Sequence, residues 1–157
     1  MNYLIQKTRK SKVELTRHQL REVAFQAMFS MMYQDDVSMT DAMRYTLLLA
    51  DNSLTEEEEI VIPLYVDAVV AGVSEKQEEL DGVIEKHLRG WKINRIAKAD
   101  LIILRLAIFE MLYLQDVPNK VSLNEALELA KTYTDEESKR FINGVLSSVM
   151  AEIDSNK

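Results

Sequence analysis

The segment Leu101-Ile102-Ile103-Leu104-Arg105-Leu106-Ala107-Ile108 constrains the fold more than any other part of the chain. Its apolar residues leave no polar face at helical spacing, so a helix built on it has to be buried on all sides. Other helices must surround it. The apolar stretch continues to Leu114, broken only by Arg105 and Glu110, and falls short of the roughly 18 uninterrupted residues of a membrane span. A buried charge is costly unless paired. Arg105 and Glu110 are therefore expected to bond to neighbouring elements and fix the packing, with a buried polar function as the other reading.

Four glycines and two prolines in 157 residues leave little material for hairpins, and apolar residues recur at three and four rather than at two. The spacing predicts an all-α fold of about seven helices. The first runs from Arg17 to Tyr33, with Leu20, Val23, Ala24, Ala27, Met28 and Met31 as its apolar stripe. A second covers Thr40 to Ala50, and a third has Pro63 in its first turn, where a missing amide is harmless. The acidic run Glu56 to Glu59 is expected to sit at the positive end of that third helix, as a solvated helix start rather than a cation site. The fourth helix is predicted from Ser74 to Leu88, the fifth from Ala97 to Leu114, the sixth from Ser122 to Thr132 and the seventh from Asp135 to Ile153. Trp91 to Ile96 reads as a short helical turn. Capping boxes are predicted at Thr16 with Gln19, Ser74 with Gln77, Ser122 with Glu125, and Thr134 with Glu137. Met28, Met31, Met32, Met39 and Met43 read as core filler or as an adaptable groove.

An apolar content of 47% is enough for a packed core. The absence of cysteine excludes disulfides and thiolate chemistry. His18 and His87 are the only histidines and are far apart in the chain, and no glycine-rich phosphate loop is present. These features predict a binding protein rather than an enzyme, with no metal and no cofactor. Met1 to Lys10 lacks the apolar segment of a secretory signal, so a soluble cytoplasmic protein without membrane association is expected.

The net charge of −7 hides an asymmetry. Residues 1–21 hold Lys7, Arg9, Lys10, Lys12, Arg17 and Arg21 against Glu14 alone, a net +5, and the remainder carries −12. A field divided in this way can hold an anionic partner at one end and repel it elsewhere.

Several blocks resemble one family. Arg17-His18-Gln19-Leu20-Arg21-Glu22-Val23-Ala24-Phe25-Gln26-Ala27-Met28-Phe29 resembles the opening of NusB-type transcription antitermination factors. The more specific similarity lies in Ile103 to Leu112, Asp116-Val117-Pro118, Val121 to Lys131 and Phe141-Ile142-Asn143-Gly144-Val145-Leu146, in the family's order and spacing. The resemblance covers residues 16–153. It implies two small helical bundles packed together, within a NusB-like domain over 16–157. The N-terminal subdomain is expected over about 16–72 and the C-terminal one over about 73–154, preceded by a flexible basic extension over 1–15.

Members of this family bind the boxA element of ribosomal RNA leader transcripts together with the ribosomal protein NusE. They join the RNA polymerase elongation complex with other Nus factors and suppress premature termination. The resemblance places RNA contacts on Arg17, His18, Gln19 and Arg21, on His87, and on Lys139, Arg140 and Phe141. It places the NusE interface on Phe29, Tyr33 and Asp100. It also allows a homodimer, since some members pair through the face that otherwise meets RNA. Taken from the residues alone, Arg17 and Arg21 also fit a solvated helix face, Phe29 and Phe141 a core, and Asp100 a cap. This chain departs from the family in having His18 and Gln19 where others cluster arginines. Lys7, Arg9, Lys10 and Lys12 lie before the matched region, either as an RNA-binding tail or as an upstream start without a role. The rival reading is a protein-protein adaptor whose basic arm is incidental. A ribosomal RNA methyltransferase is rejected for want of a glycine-loop region to hold a methyl donor.

Overall fold

A computed structural model of the chain describes residues 10–11, 13–57, 59–90 and 92–157. Lys7, Arg9, Lys12, Glu58 and Trp91 lie outside the described residues. The elements are β1 (Lys10–Ser11), α1 (Arg17–Tyr33), α2 (Met39–Ala50), β2 (Glu59–Ile60), α3 (Leu64–Glu75), α4 (Gln77–Lys86), a 3-10 turn (Ile93–Arg95), α5 (Lys98–Tyr113), α6 (Asn119–Tyr133) and α7 (Glu136–Ser155). The all-α class is as predicted, with seven α-helices among the described residues. The chain divides into two compact units, 1–70 and 71–157, and the division falls inside α3.

In the first unit, α1 packs on α2, burying Val23, Ala24, Phe25, Ala27 and Met28 against Ala42, Met43 and Leu47. Met28 and Met43 thus serve as core. Helix α1 begins where its sequence predicts: Gln19 N donates to Thr16 Oγ1 and Thr16 N donates to Gln19 Oε1, a complete capping box. The acidic run is placed differently from expectation. Glu59 and Ile60 pair in parallel with Lys10 and Ser11, so their backbone groups are used in a short extended ladder. The helix starts beyond them at Leu64, with Asp67 as the acid of its first turn.

In the second unit, α5 is the central element. All twelve residues from Asp100 to Met111 are buried, as an all-round apolar surface requires. Helices α4, α6 and α7 pack on it and contribute Leu80, Ile84, Leu129, Ile142 and Leu146 to the core. Both embedded charges are partnered. Arg105 donates from Nε and Nη2 to Asp81 Oδ1 and Oδ2 of α4, at 2.8 and 2.9 Å, the two-pronged geometry that best offsets desolvation of a guanidinium. Glu110, fully buried, accepts from Ser122 Oγ of α6 at 2.9 Å.

Three predicted capping boxes are absent. Ser74 lies inside α3, and the break between α3 and α4 is absorbed at Lys76 (φ −99°, ψ 14°). Ser122 lies within α6, which starts three residues early behind Pro118 and turns the serine toward Glu110. The cap of α7 is Asp135, which accepts from Ser138 N, whereas Thr134 Oγ1 donates back to Ala130 O of α6. The motif finds neighbourhoods of helix ends, and competing side-chain partners decide their use. Gly90, at φ 75° after α4, occupies the left-handed region that favours glycine.

Gly72 marks the closest approach to α5. A Cβ on it would overlap Cζ and Cε2 of Phe109, a buried ring already set against Tyr113 at 5.2 Å between centroids. Gly72→Ala is expected to destabilise the protein by about 1–3 kcal/mol through overpacking. Ser122→Ala, which removes a hydroxyl from a buried carboxylate, is expected to destabilise by about 1.5–3 kcal/mol. Urea unfolding followed by circular dichroism measures both.

Candidate nucleic-acid interface

The start of α1 is electrostatically unusual. Acidic residues favour the positive first turn of a helix, yet here that turn has none and carries Arg17 and His18 instead. Such an end attracts anions, because free backbone amides and cationic side chains point the same way. Arg17 is exposed and its Cζ stands 4.7 Å from the centroid of the Tyr65 ring; Arg21 Cζ stands 5.6 Å from the same centroid. Two guanidiniums thus share one aromatic platform. They differ in access: Arg21 is only 3% exposed, so its charge acts from behind Arg17 rather than at the surface expected of it. His18 Nε2 lies 3.4 Å from Glu22 Oε1. The carbonyl of Gln19 is engaged by the cap.

In the second unit, His87, Arg140 and Phe141 come together. With Leu88, Arg89, Gly144, Val145 and Ser148 they line a cleft of about 380 Å³, within the range of ligand-sized pockets. Arg89 and Arg140 are exposed, and Phe141 is half-buried. Lys139 is half-buried on α7 and is not among the residues lining the cleft. His87, at the C-terminal end of α4, is clamped against α7. Its Nδ1 lies 2.7 Å from Ser148 Oγ and its Nε2 meets Glu152, while Lys86 also bonds to Glu152. Lys86 and then His87 hold the Glu152 carboxyl below its ordinary range. Cationic, aromatic and apolar surfaces meet in this cleft, a combination suited to an unpaired nucleotide. Among the described residues, no group of three or more His, Cys, Asp or Glu is placed to hold a metal ion, and no helix is long and apolar enough to cross a membrane.

The residues expected at a protein interface are placed differently from one another. Phe25, Phe29 and Tyr33 form a ladder along α1, with centroid spacings of 5.9 and 5.0 Å, and Tyr33 is 57% exposed. Asp100 is buried in the second unit, where Ser138 Oγ donates to its Oδ2 at 2.9 Å. Its Oδ1 has no hydrogen-bond partner among the described residues.

A family model described as the NusB family matches residues 18–151. The chain belongs to the NusB family. It is 52% identical over 149 residues to the transcription antitermination protein NusB of Enterococcus faecalis, covering 94% of this chain and 97% of that protein. The NusB structure from T. maritima matches with a TM-score of 0.75 at 28% identity, covering 88% of this chain and 93% of that one. A chain from a crystal structure of the antitermination factors NusB and NusE in complex with double-stranded RNA matches with a TM-score of 0.70 at 25% identity, covering 85% and 94%.

Within this family member, sequence reasoning missed Tyr65, Arg89, Ser148 and Glu152. Tyr65 lies 44 residues beyond Arg21, and no local pattern links them. A signal did exist on α7, where Arg140, Gly144, Ser148 and Glu152 recur every fourth residue and so form one stripe. Arg89 follows His87 by two positions.

Burial pushes the Asp100 carboxyl up from 3.8; the Ser138 hydroxyl opposes the rise and the charge of Asp135 adds to it. A carboxyl raised in the folded state binds more protons there than when unfolded, so it makes stability fall as pH rises from about 4 through the folded value. Asp100→Asn removes this term. The variant is expected to be at least as stable as the parent at pH 7, with a flatter decline above pH 4 in chemical unfolding curves. A loss of stability at pH 7 together with an unchanged pH profile would contradict this assignment.

Proposed function

We propose that this NusB-family protein is a transcription antitermination factor. It binds boxA-type single-stranded RNA of ribosomal leader transcripts together with the ribosomal protein NusE, and acts on the elongating RNA polymerase with other Nus factors. It works in the cytoplasm and catalyses no reaction. The observation that carries this reading is the 52% identity, over nearly the whole of both chains, to an antitermination protein. The structural relative bound to NusE and double-stranded RNA supports the choice of partners.

The chain's own residues take distinct parts. Arg17, fixed over Tyr65, reaches phosphate oxygens; the buried Arg21, over the same ring, adds positive potential. His18 and Gln19 border this helix start. Arg140, Arg89 and Lys139 supply charge around the cleft, while His87 and Phe141 supply aromatic surface for unstacked bases, which a single strand can present and a regular duplex cannot. Phe29 and Tyr33 form the face for NusE in the first unit; in the second, Asp100 takes part in NusE binding and is held by Ser138.

Fluorescence anisotropy with boxA-containing RNA, with and without NusE and across a salt series, tests the reading. Phosphate binding weakens as salt rises, and each neutralised phosphate of a single strand contributes about −0.7 to the slope of log affinity against log salt. Arg17→Ala is expected to weaken binding several-fold and make the slope shallower by about 0.7. Failure of the parent to bind RNA even with NusE present would favour a protein-protein adaptor, and an unchanged slope in Arg17→Ala would remove the start of α1 from the site.

A further inference from the structure

Helix α7 runs for 20 residues and contains one glycine, Gly144, near its middle. Glycine in a helix interior is destabilising relative to alanine, because it gives up more backbone freedom and contributes no side-chain contact. A close approach usually explains such a residue, as the Phe109 ring does for Gly72. Gly144 has no such neighbour: a Cβ built there meets nothing within 4 Å. The bare backbone faces the cleft lined by His87, Arg89, Arg140 and Phe141. The missing side chain therefore enlarges the cleft and serves no packing contact within the chain.

His87 defines what the cleft accepts. Its side chain is only 10% exposed, and Ser148 and Glu152 occupy the surroundings of its two ring nitrogens, so its hydrogen-bonding edge is engaged within the chain. A fixed imidazole and a phenyl ring lining one cleft suit a flat, unpaired ring system, and two exposed guanidiniums suit the phosphates on either side of it. We infer that Gly144 is the floor of a nucleobase pocket, left without a side chain so that one unstacked RNA base can settle between His87 and Phe141 against the backbone of α7. Ser148 and Glu152 are positioning residues that hold the His87 wall. The inference rests on the RNA-binding reading above and adds to it the residue that sets the depth of the cleft.

The test compares Gly144→Ala with Gly82→Ala. Gly82 is also a helical glycine with open space at its Cβ, but it lies on α4 and does not line the cleft. Both variants are expected to raise the thermal midpoint by about 2–4 °C. Gly82→Ala should bind boxA-containing RNA as the parent does, whereas Gly144→Ala should lose about fivefold or more, the lower end of what one stacked base contributes. A scan of RNAs, each with a single abasic residue, completes the cycle: at one position the parent should weaken and the difference between parent and Gly144→Ala should vanish. A lowered midpoint for Gly144→Ala would give the glycine a packing role and overturn the inference. Unchanged RNA affinity would do the same while leaving the Arg17 site intact, and a deficit persisting on every abasic RNA would reject the base pocket. If the parent binds no RNA at all, the functional reading and this inference fall together.

Discussion

The burial of α5 from Asp100 to Met111 dictates much of what surrounds it. A helix stretch with no solvent face can hold a charge only if a neighbour supplies the partner, and four buried polar or tight contacts along it engage four different elements. Arg105 takes Asp81 of α4, Glu110 takes Ser122 of α6, Asp100 takes Ser138 of α7, and Phe109 needs Gly72 of α3. Apolar packing alone would tolerate rotation and sliding of these helices, whereas directional bonds and a steric limit select one arrangement. One consequence reaches the surface. With α4 and α7 both held on α5, the end of α4 delivers His87 to Ser148 and Glu152, and the cleft forms beside that junction.

The two candidate contact regions rest on the same chemistry with different emphasis. At the start of α1 the controlling fact is positive charge at the positive end of a helix: no acid in the first turn, Arg17 exposed, and Arg21 buried on the other arginine's ring platform. At the cleft the controlling fact is shape, with cations at the rim and aromatic surface within. Both fit a polyanion with exposed bases. The acidic remainder of the chain restricts where such a ligand can rest, so the overall negative charge does not by itself oppose a polyanion at these two places.

Much of this was legible before any coordinates. The bounds of α1 and its capping box follow from local residues alone, because Thr16 and Gln19 satisfy each other within one turn. Helix α5 is equally plain, since an all-round apolar run admits only a buried position. The resemblance to NusB-type factors brought Arg17, His87, Arg140 and Phe141 into view. Illegible were the features that depend on separation in sequence: Tyr65 beneath the arginines, the clamp on His87, and the burial of Arg21 and Asp100, which a charged-residue pattern reads as surface. The false caps at Ser74, Ser122 and Thr134 failed for a related reason. Ser122 and Thr134 took other partners, and Ser74 was overtaken by a helix that ran on through it.

The sequence by itself determined which segments are helices, which of them must be central, and that net positive charge is confined to one end of an acidic chain. These properties depend on spacing, on backbone chemistry and on composition, all of which act within a few residues or sum over the whole. Tertiary structure alone decided which charges are paired, which arginine is accessible, and that a helical glycine opens onto a cleft rather than against a neighbour. Those outcomes depend on distances between residues that the chain brings together only when its helices pack.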